Sequence, residues 1–212
     1  MIFIDSASIN EIKSAMEFGW VDGVTTNPIL LAKENRDPVL LYKEIRAITS
    51  GPVFYQIMSR EVGEMQDEAR RIFQILGDQL VLKIIPSETG YKFCCRHSKE
   101  FDICITAVYS PTQAAVACGS GARYVAVYYN RAQKKTGDAA GLIDAISSIL
   151  SGSNTEILAA SLKSTDEVAT VLKSGANHIA APLTVLKKMI NHELSDQVIA
   201  AFYQDGIGID EL

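Results

Sequence analysis

The segment LVLKII, residues 80–85, sets one ammonium group, that of Lys83, inside an apolar run. A short continuous apolar stretch followed by Pro86 and Gly90 reads as a strand buried on both faces. Moving a charge from water into such a setting is costly unless the charge is paired or its proton is lost. Either Lys83 sits on an edge strand and reaches water along its stem, or the fold buries it.

The rest of the chain favours burial. Runs like this one recur as IFID (2–5), GVTTN (23–27), VFYQIM (53–58), ICITAVY (103–109), YVAVYYN (124–130), EILAASL (156–162) and HIAAPL (178–183). Helix signals fill the gaps. In SASINEIKSAMEFG, Ser8 and Glu11 have capping-box spacing and Gly19 is a stop. In SREVGEMQDEARRIFQILG, Val62, Met65, Ala69, Ile72, Phe73 and Leu76 fall on one helical face that ends at Gly77. SPTQAAVACGSG opens with a proline in its first turn. Eight strand–helix units with no linker predict an α/β fold, a closed (β/α)8 TIM barrel formed as one domain over residues 1–212. An open doubly wound sheet is disfavoured because IDSASIN has no glycine-rich phosphate turn. The chain is shorter than the ~250 residues typical of such barrels, so its loops are lean. An extra helix, about 194–204, follows the eighth unit.

Composition narrows the function classes. The 212 residues are 48% hydrophobic and carry a net charge of −5, with no Lys/Arg block suited to nucleic acid. Lys134 and Lys135 form the longest basic run near an expected loop. No apolar run nears the ~18 residues of a membrane span, and the first residues do not read as a secretory signal. The expectation is a cytoplasmic protein that acts on small anionic molecules, with no nucleic acid or membrane partner. Cys94, Cys95, Cys104 and Cys118 lack metal or disulfide spacing and are expected as buried free thiols. His97, His178 and His192 show no ligand spacing, so no metal is expected.

Polar residues enter the apolar runs late: Asp5, then Thr25, Thr26 and Asn27, then Gln56, Lys83, Thr106, Tyr128 with Asn130 and Arg131, and Ser161 with Lys163. Alternation puts Lys83 inside the barrel with Val81 and Ile85, Asp5 with Phe3, Gln56 with Phe54, Thr106 with Cys104, and Ser161 with Ala159. Active sites of these barrels lie at the carboxyl ends of the strands. Desolvation disfavours an ammonium, and a neutral amine attacks carbonyls to form Schiff bases. A nearby acid such as Asp5 suits proton transfer during C–C cleavage. Alternatively, Asp5 and Lys83 form only a structural ion pair.

The segments FIDSA, GVTTNPILLAKE, VLKIIPSETG, YNR and ILAASLKS carry a resemblance. The chain resembles the transaldolase family nearly end to end, and within it the short fructose-6-phosphate aldolase-like subgroup. The resemblance implies a class I aldolase barrel that needs no cofactor, with Lys83 as Schiff-base nucleophile and Asp5 as the acid/base. It implies that Thr25 or Thr26 and Asn27 bind donor hydroxyls, and that Thr106 holds a water or proton relay. Arg131 and Ser161 would bind the sugar phosphate. Lys163 stands where classical enzymes carry a second arginine, and it supplies a point charge instead of a fork. Gln56 and Tyr128, in place of the transaldolase glutamate and phenylalanine, look like the aldolase subgroup, with the tyrosine hydroxyl managing protons.

The expected reaction cleaves fructose 6-phosphate to dihydroxyacetone and glyceraldehyde 3-phosphate, or runs in reverse. The alternatives are transaldolase transfer from sedoheptulose 7-phosphate in the pentose phosphate pathway, and a non-catalytic sugar-phosphate-binding barrel. A ring-forming homo-oligomer is also implied, a decamer among the candidate sizes, with the 194–204 helix packing on a neighbour. The chain departs from the family pattern at Ser6, Ile29, Val127, KFCCRHS and the RAQKKTGDAAG segment.

Overall fold

A computed structural model describes residues 1–207; positions 208–212 of the expected domain lie outside the described residues. Eight strands alternate with helices: β1 (Ile2–Asp5), β2 (Gly23–Thr25), β3 (Val53–Gln56), β4 (Leu80–Ile84), β5 (Asp102–Val108), β6 (Tyr124–Tyr128), β7 (Glu156–Ala160) and β8 (His178–Ala181). All neighbours pair in parallel, and β1 pairs with β8, so the sheet closes in sequence order as a (β/α)8 TIM barrel.

The strands have two apolar faces, as the continuous runs require. The outward face packs on the helices: Ile4, Val24, Leu82, Ile105, Val125 and Ala159 join one large core with helix residues such as Ile12, Leu41 and Ile143. The inward face forms a second cluster of Phe3, Phe54, Val81, Cys104, Tyr124, Ala126, Leu158 and Ala180. The interior is thus a packed plug. β2 adds nothing apolar to it, because its inward positions are Gly23 and Thr25. At the entries to β2 and β3 the backbones nearly touch. A Cβ on Gly51 would lie 1.7 Å from the Asp22 carbonyl, so only glycine fits there.

The helices are α1 (Ile9–Met16), α2 (Pro28–Lys33), α3 (Pro38–Ile48), α4 (Val62–Leu76), α5 (Glu88–His97), α6 (Pro111–Gly119), α7 (Tyr129–Thr136), α8 (Ala139–Leu150), α9 (Thr165–Lys173), α10 (Leu183–Met189) and α11 (Glu193–Asp205). Several sequence expectations need correction. Ser8 is the α1 N-cap but makes no side-chain cap bond; Ser6 Oγ instead donates to Glu11 Oε2 and accepts from Ser8 N. Tyr129 and Asn130 begin α7, and Lys134 and Lys135 lie in its last turn, not in a loop. Cys95 is exposed and Cys118 half-buried; Cys94 and Cys104 are buried, and all four are free thiols. Phe73 is 41% exposed, resting edge-on against Phe101, and the α4 face is completed by Glu68.

That buried glutamate ties α4 to the loop after β3. Its carboxylate accepts from Tyr55 Oη (2.7 Å), Met58 N (3.0 Å) and Ser59 N (2.8 Å). Burial pushes its carboxyl up, but the hydrogen bonds from Ser59, Tyr55 and Met58 outweigh this and hold it below the usual carboxylate range. In Glu68→Gln an amide NH2 replaces an acceptor opposite donors, with an expected loss of roughly 1–3 kcal/mol. A carboxyl whose folded-state pKa is depressed stabilises fully above its ordinary range, and the gain is lost as pH falls through the folded-state value. Denaturant titration of both proteins at neutral and acid pH checks this: the gap between them narrows in acid.

Candidate active site

Lys83 is 5% exposed and faces the barrel interior at its carboxyl end. Its register partners are Gln56 on β3 and Cys104 on β5, so three inward side chains stand side by side on adjacent strands. Lys83 Nζ reaches past the end of β3 and donates to the Thr26 carbonyl at 2.8 Å. No ion pair among the described residues includes Lys83, so the structural pairing with Asp5 is not formed. Beside it, burial pushes the Cys104 thiol up to about 12 while the Lys83 charge pulls the other way. The thiol is therefore a neutral neighbour of the lysine.

Asp5 closes β1, and its Oδ1 accepts from Thr25 Oγ1 at 2.9 Å across the β1–β2 register. Thr25 is 2% exposed and thus orients Asp5. The neighbouring hydroxyl of Thr26 faces the helix layer. It donates to the Phe54 carbonyl (2.9 Å) and pairs with Tyr42 Oη (2.6 Å), so it is consumed. Of the two expected donor-binding threonines, Thr26 contributes its carbonyl to Lys83 and offers no hydroxyl to a substrate. Asn27 caps α2: its Oδ1 accepts from Ile29 N and Leu30 N at 3.1 and 3.0 Å, which leaves Nδ2 as the group able to meet a ligand. Gln56 Nε2 donates to the Lys83 carbonyl at 3.0 Å.

Across the barrel, Thr106 Oγ1 donates to Tyr128 Oη at 3.2 Å. Thr106 holds its inward aim through a bulge. Ala107 is left-handed, with φ 59°, and the β5–β6 register shifts there, so Val108 packs outward in the helix-side core. Tyr128 is braced on both sides. Tyr109 meets it edge-on with ring centroids 6.2 Å apart, and the Arg131 guanidinium carbon lies 5.1 Å from its ring centre.

The inward alternation holds for Asp5, Gln56, Lys83 and Thr106, and it fails on β7. Leu158 and Ala160 face inward while Ala159 packs outward. Ser161 lies beyond the strand in a left-handed conformation, φ 63°, so its direction follows from the turn and not from strand parity. Ile85 also lies beyond its strand and is 58% exposed. Arg131 and Lys163 are exposed. Two surface hollows of about 410 and 200 Å³ open at the opposite, amino-terminal end of the barrel, near Glu156 and Asp102, and hold none of these residues. Among the described residues there is no group of three His, Cys, Asp or Glu able to hold a metal, and no helix long and apolar enough to cross a membrane.

Sequence reasoning missed the Thr26 carbonyl, because any residue supplies one. It also missed Tyr109, whose partner lies on the next strand. Glu167 was signalled only by its cap spacing from Ser164.

The description Transaldolase/Fructose-6-phosphate aldolase matches residues 2–211. A protein of Thermodesulfovibrio yellowstonii called a probable transaldolase is 38% identical over 206 residues, 96% of each chain. A probable transaldolase of Clostridium botulinum is 37% identical over 213 residues, covering 99% of each. A solved mandelate oxidase mutant superposes over 97% of this chain and 74% of its own, with TM-score 0.64 at 13% identity, a likeness of fold alone. With a family match over residues 2–211, 38% identity to such a relative along 96% of the chain, and a buried lysine in the fourth strand of a closed barrel, this chain belongs to the transaldolase/fructose-6-phosphate aldolase family.

Proposed function

We propose that the protein is a Schiff-base aldolase that cleaves fructose 6-phosphate to dihydroxyacetone and glyceraldehyde 3-phosphate, or joins them. The observation that carries this reading is Lys83: a 5% exposed amine without a carboxylate partner among the described residues, held by one backbone carbonyl, at the barrel end that has Asp5 and Tyr128. A single neutral acceptor leaves the amine free to change partners when a ketone arrives.

In this mechanism Nζ of Lys83 attacks C2 of the ketose, and water leaves the carbinolamine to give an iminium. The Asp5 carboxylate, oriented by Thr25, takes the proton of the C4 hydroxyl. The C3–C4 electron pair then moves into the iminium, the aldehyde departs and an enamine remains. Tyr128, in its hydrogen bond with Thr106, returns a proton to C3, and water hydrolyses the adduct to free dihydroxyacetone and Lys83. Asn27 Nδ2 meets a donor hydroxyl, Gln56 lines the same wall, and Arg131, Ser161 and Lys163 receive the phosphate.

Borohydride reduction in the presence of dihydroxyacetone tests the nucleophile. The expected result is one covalent adduct on the peptide that contains Lys83. Lys83→Met should abolish adduct and turnover while melting at or above the wild-type temperature, because a buried ammonium is removed from an apolar plug. Absence of an adduct on the wild type sinks both catalytic readings and leaves a non-catalytic sugar-phosphate-binding barrel.

A second reading, transaldolase transfer, is favoured by the name probable transaldolase that the relatives carry. The two differ in the fate of the enamine. Dihydroxyacetone released from fructose 6-phosphate alone supports the aldolase. Turnover that requires an added aldose phosphate such as erythrose 4-phosphate supports the transferase.

We also propose that the protein is a ring-type homo-oligomer built through α11. That helix buries no residue, and Phe202 and Tyr203 are 73% and 89% exposed. Light scattering is expected to give a multiple of the 23.1 kDa chain mass. Phe202→Asp should reduce that multiple without unfolding the barrel.

A further inference from the structure

Glu167, on the first turn of α9, does more than cap its helix. Ser164 and Glu167 have capping-box spacing, and Ser164 Oγ accepts from Glu167 N at 3.2 Å. In an ordinary capping box the glutamate returns to the N–H of the cap residue. Here Glu167 Oε2 accepts from the N–H of Lys163, one residue earlier, at 2.6 Å. Its other oxygen, Oε1, accepts from Asn130 Nδ2 at 2.7 Å. Asn130 belongs to α7 and follows β6, so the second bond crosses from one strand–helix corner to the next.

These corners carry Arg131 on one side and Ser161 and Lys163 on the other. The carboxylate lies close to α7: the hydroxyl of buried Tyr129 is pushed up first by burial and then by Glu167. Both bonds are charge-assisted, with an ionised acceptor, and are stronger than neutral ones. Helix capping alone gives no role to Asn130.

We infer that Glu167 is a positioning residue that locks the β6–α7 and β7–α9 corners together, so that the anion-binding groups on them stand pre-spaced for the phosphate of the substrate. This rests on the proposed reading of Arg131, Ser161 and Lys163 as phosphate ligands. Without the brace, binding has to order two independent corners, a cost charged to phosphorylated ligands and not to uncharged ones.

Asn130→Ala and Glu167→Gln test it. Asn130→Ala cuts the crossing bond and leaves the α9 cap intact. Two readouts are taken on each protein: affinity for inorganic phosphate by calorimetry, which needs no turnover, and KM and kcat with glyceraldehyde 3-phosphate against unphosphorylated glyceraldehyde, with dihydroxyacetone as donor. The expected result is about a tenfold loss of phosphate affinity and a matching rise in KM for the phosphorylated aldehyde. KM for glyceraldehyde and the yield of borohydride adduct stay unchanged. Glu167→Asp, whose shorter stem keeps both acceptor oxygens, should restore part of the loss.

Unchanged phosphate affinity in Asn130→Ala, or an equal rise in both KM values, overturns the brace and leaves a structural cap. Normal wild-type phosphate binding without any Lys83 adduct would reject the aldolase reading yet still let the affinities decide on Glu167. If wild-type protein binds no phosphate while the adduct forms, the inference falls and the aldolase reading stands.

Discussion

One hydrogen bond organises the mouth of the barrel, that from Lys83 Nζ to the carbonyl of Thr26. It runs from β4 past the end of β3 to the residue after β2, so it exists only when those strands lie side by side in a closed sheet. Lys83 is thereby satisfied without a carboxylate partner among the described residues. A salt bridge to Asp5 would have stabilised the charge and tied up the acid at once. A backbone carbonyl satisfies the donor and leaves Asp5 to Thr25.

The same rule, in which a buried polar group is held by a neighbour that does not compete for its chemistry, recurs around the ring. Thr26 turns its hydroxyl outward to Phe54 and Tyr42 and so anchors the carbonyl that Lys83 uses. Gln56 is fixed on the backbone of Lys83, and Glu68 gathers the loop that follows Gln56. Tyr128 is placed by Thr106, Tyr109 and Arg131 together. The inward apolar plug lies below all of these and gives them a dry, rigid floor.

The barrel was legible because strands buried on both faces leave an unbroken apolar signature, repeated eight times with helix signals between. The inward set on β1, β3, β4 and β5 was legible because strand side chains alternate with period two. That logic stops where the backbone leaves the strand. Ser161 could not be assigned by parity, since its left-handed conformation re-aims it after Ala160. Asn130, Lys134 and Lys135 were read as strand end and loop because the polar segment after Tyr128 masks a helix whose first residue is a buried tyrosine.

The order of apolar runs by itself determined the α/β barrel, the strand that bears Lys83 and the end at which polar groups collect, because burial forces composition and periodicity to agree along the chain. Contacts between residues far apart in sequence were decided only by the tertiary structure. A carbonyl acceptor for Lys83, the outward turn of Thr26, the Tyr109–Tyr128–Arg131 cluster and the Glu167 bridge to Asn130 depend on which strand ends become neighbours and how each turn aims its side chains. Backbone carbonyls and turn dihedrals leave no mark in residue type, so these relations exist only once the barrel closes.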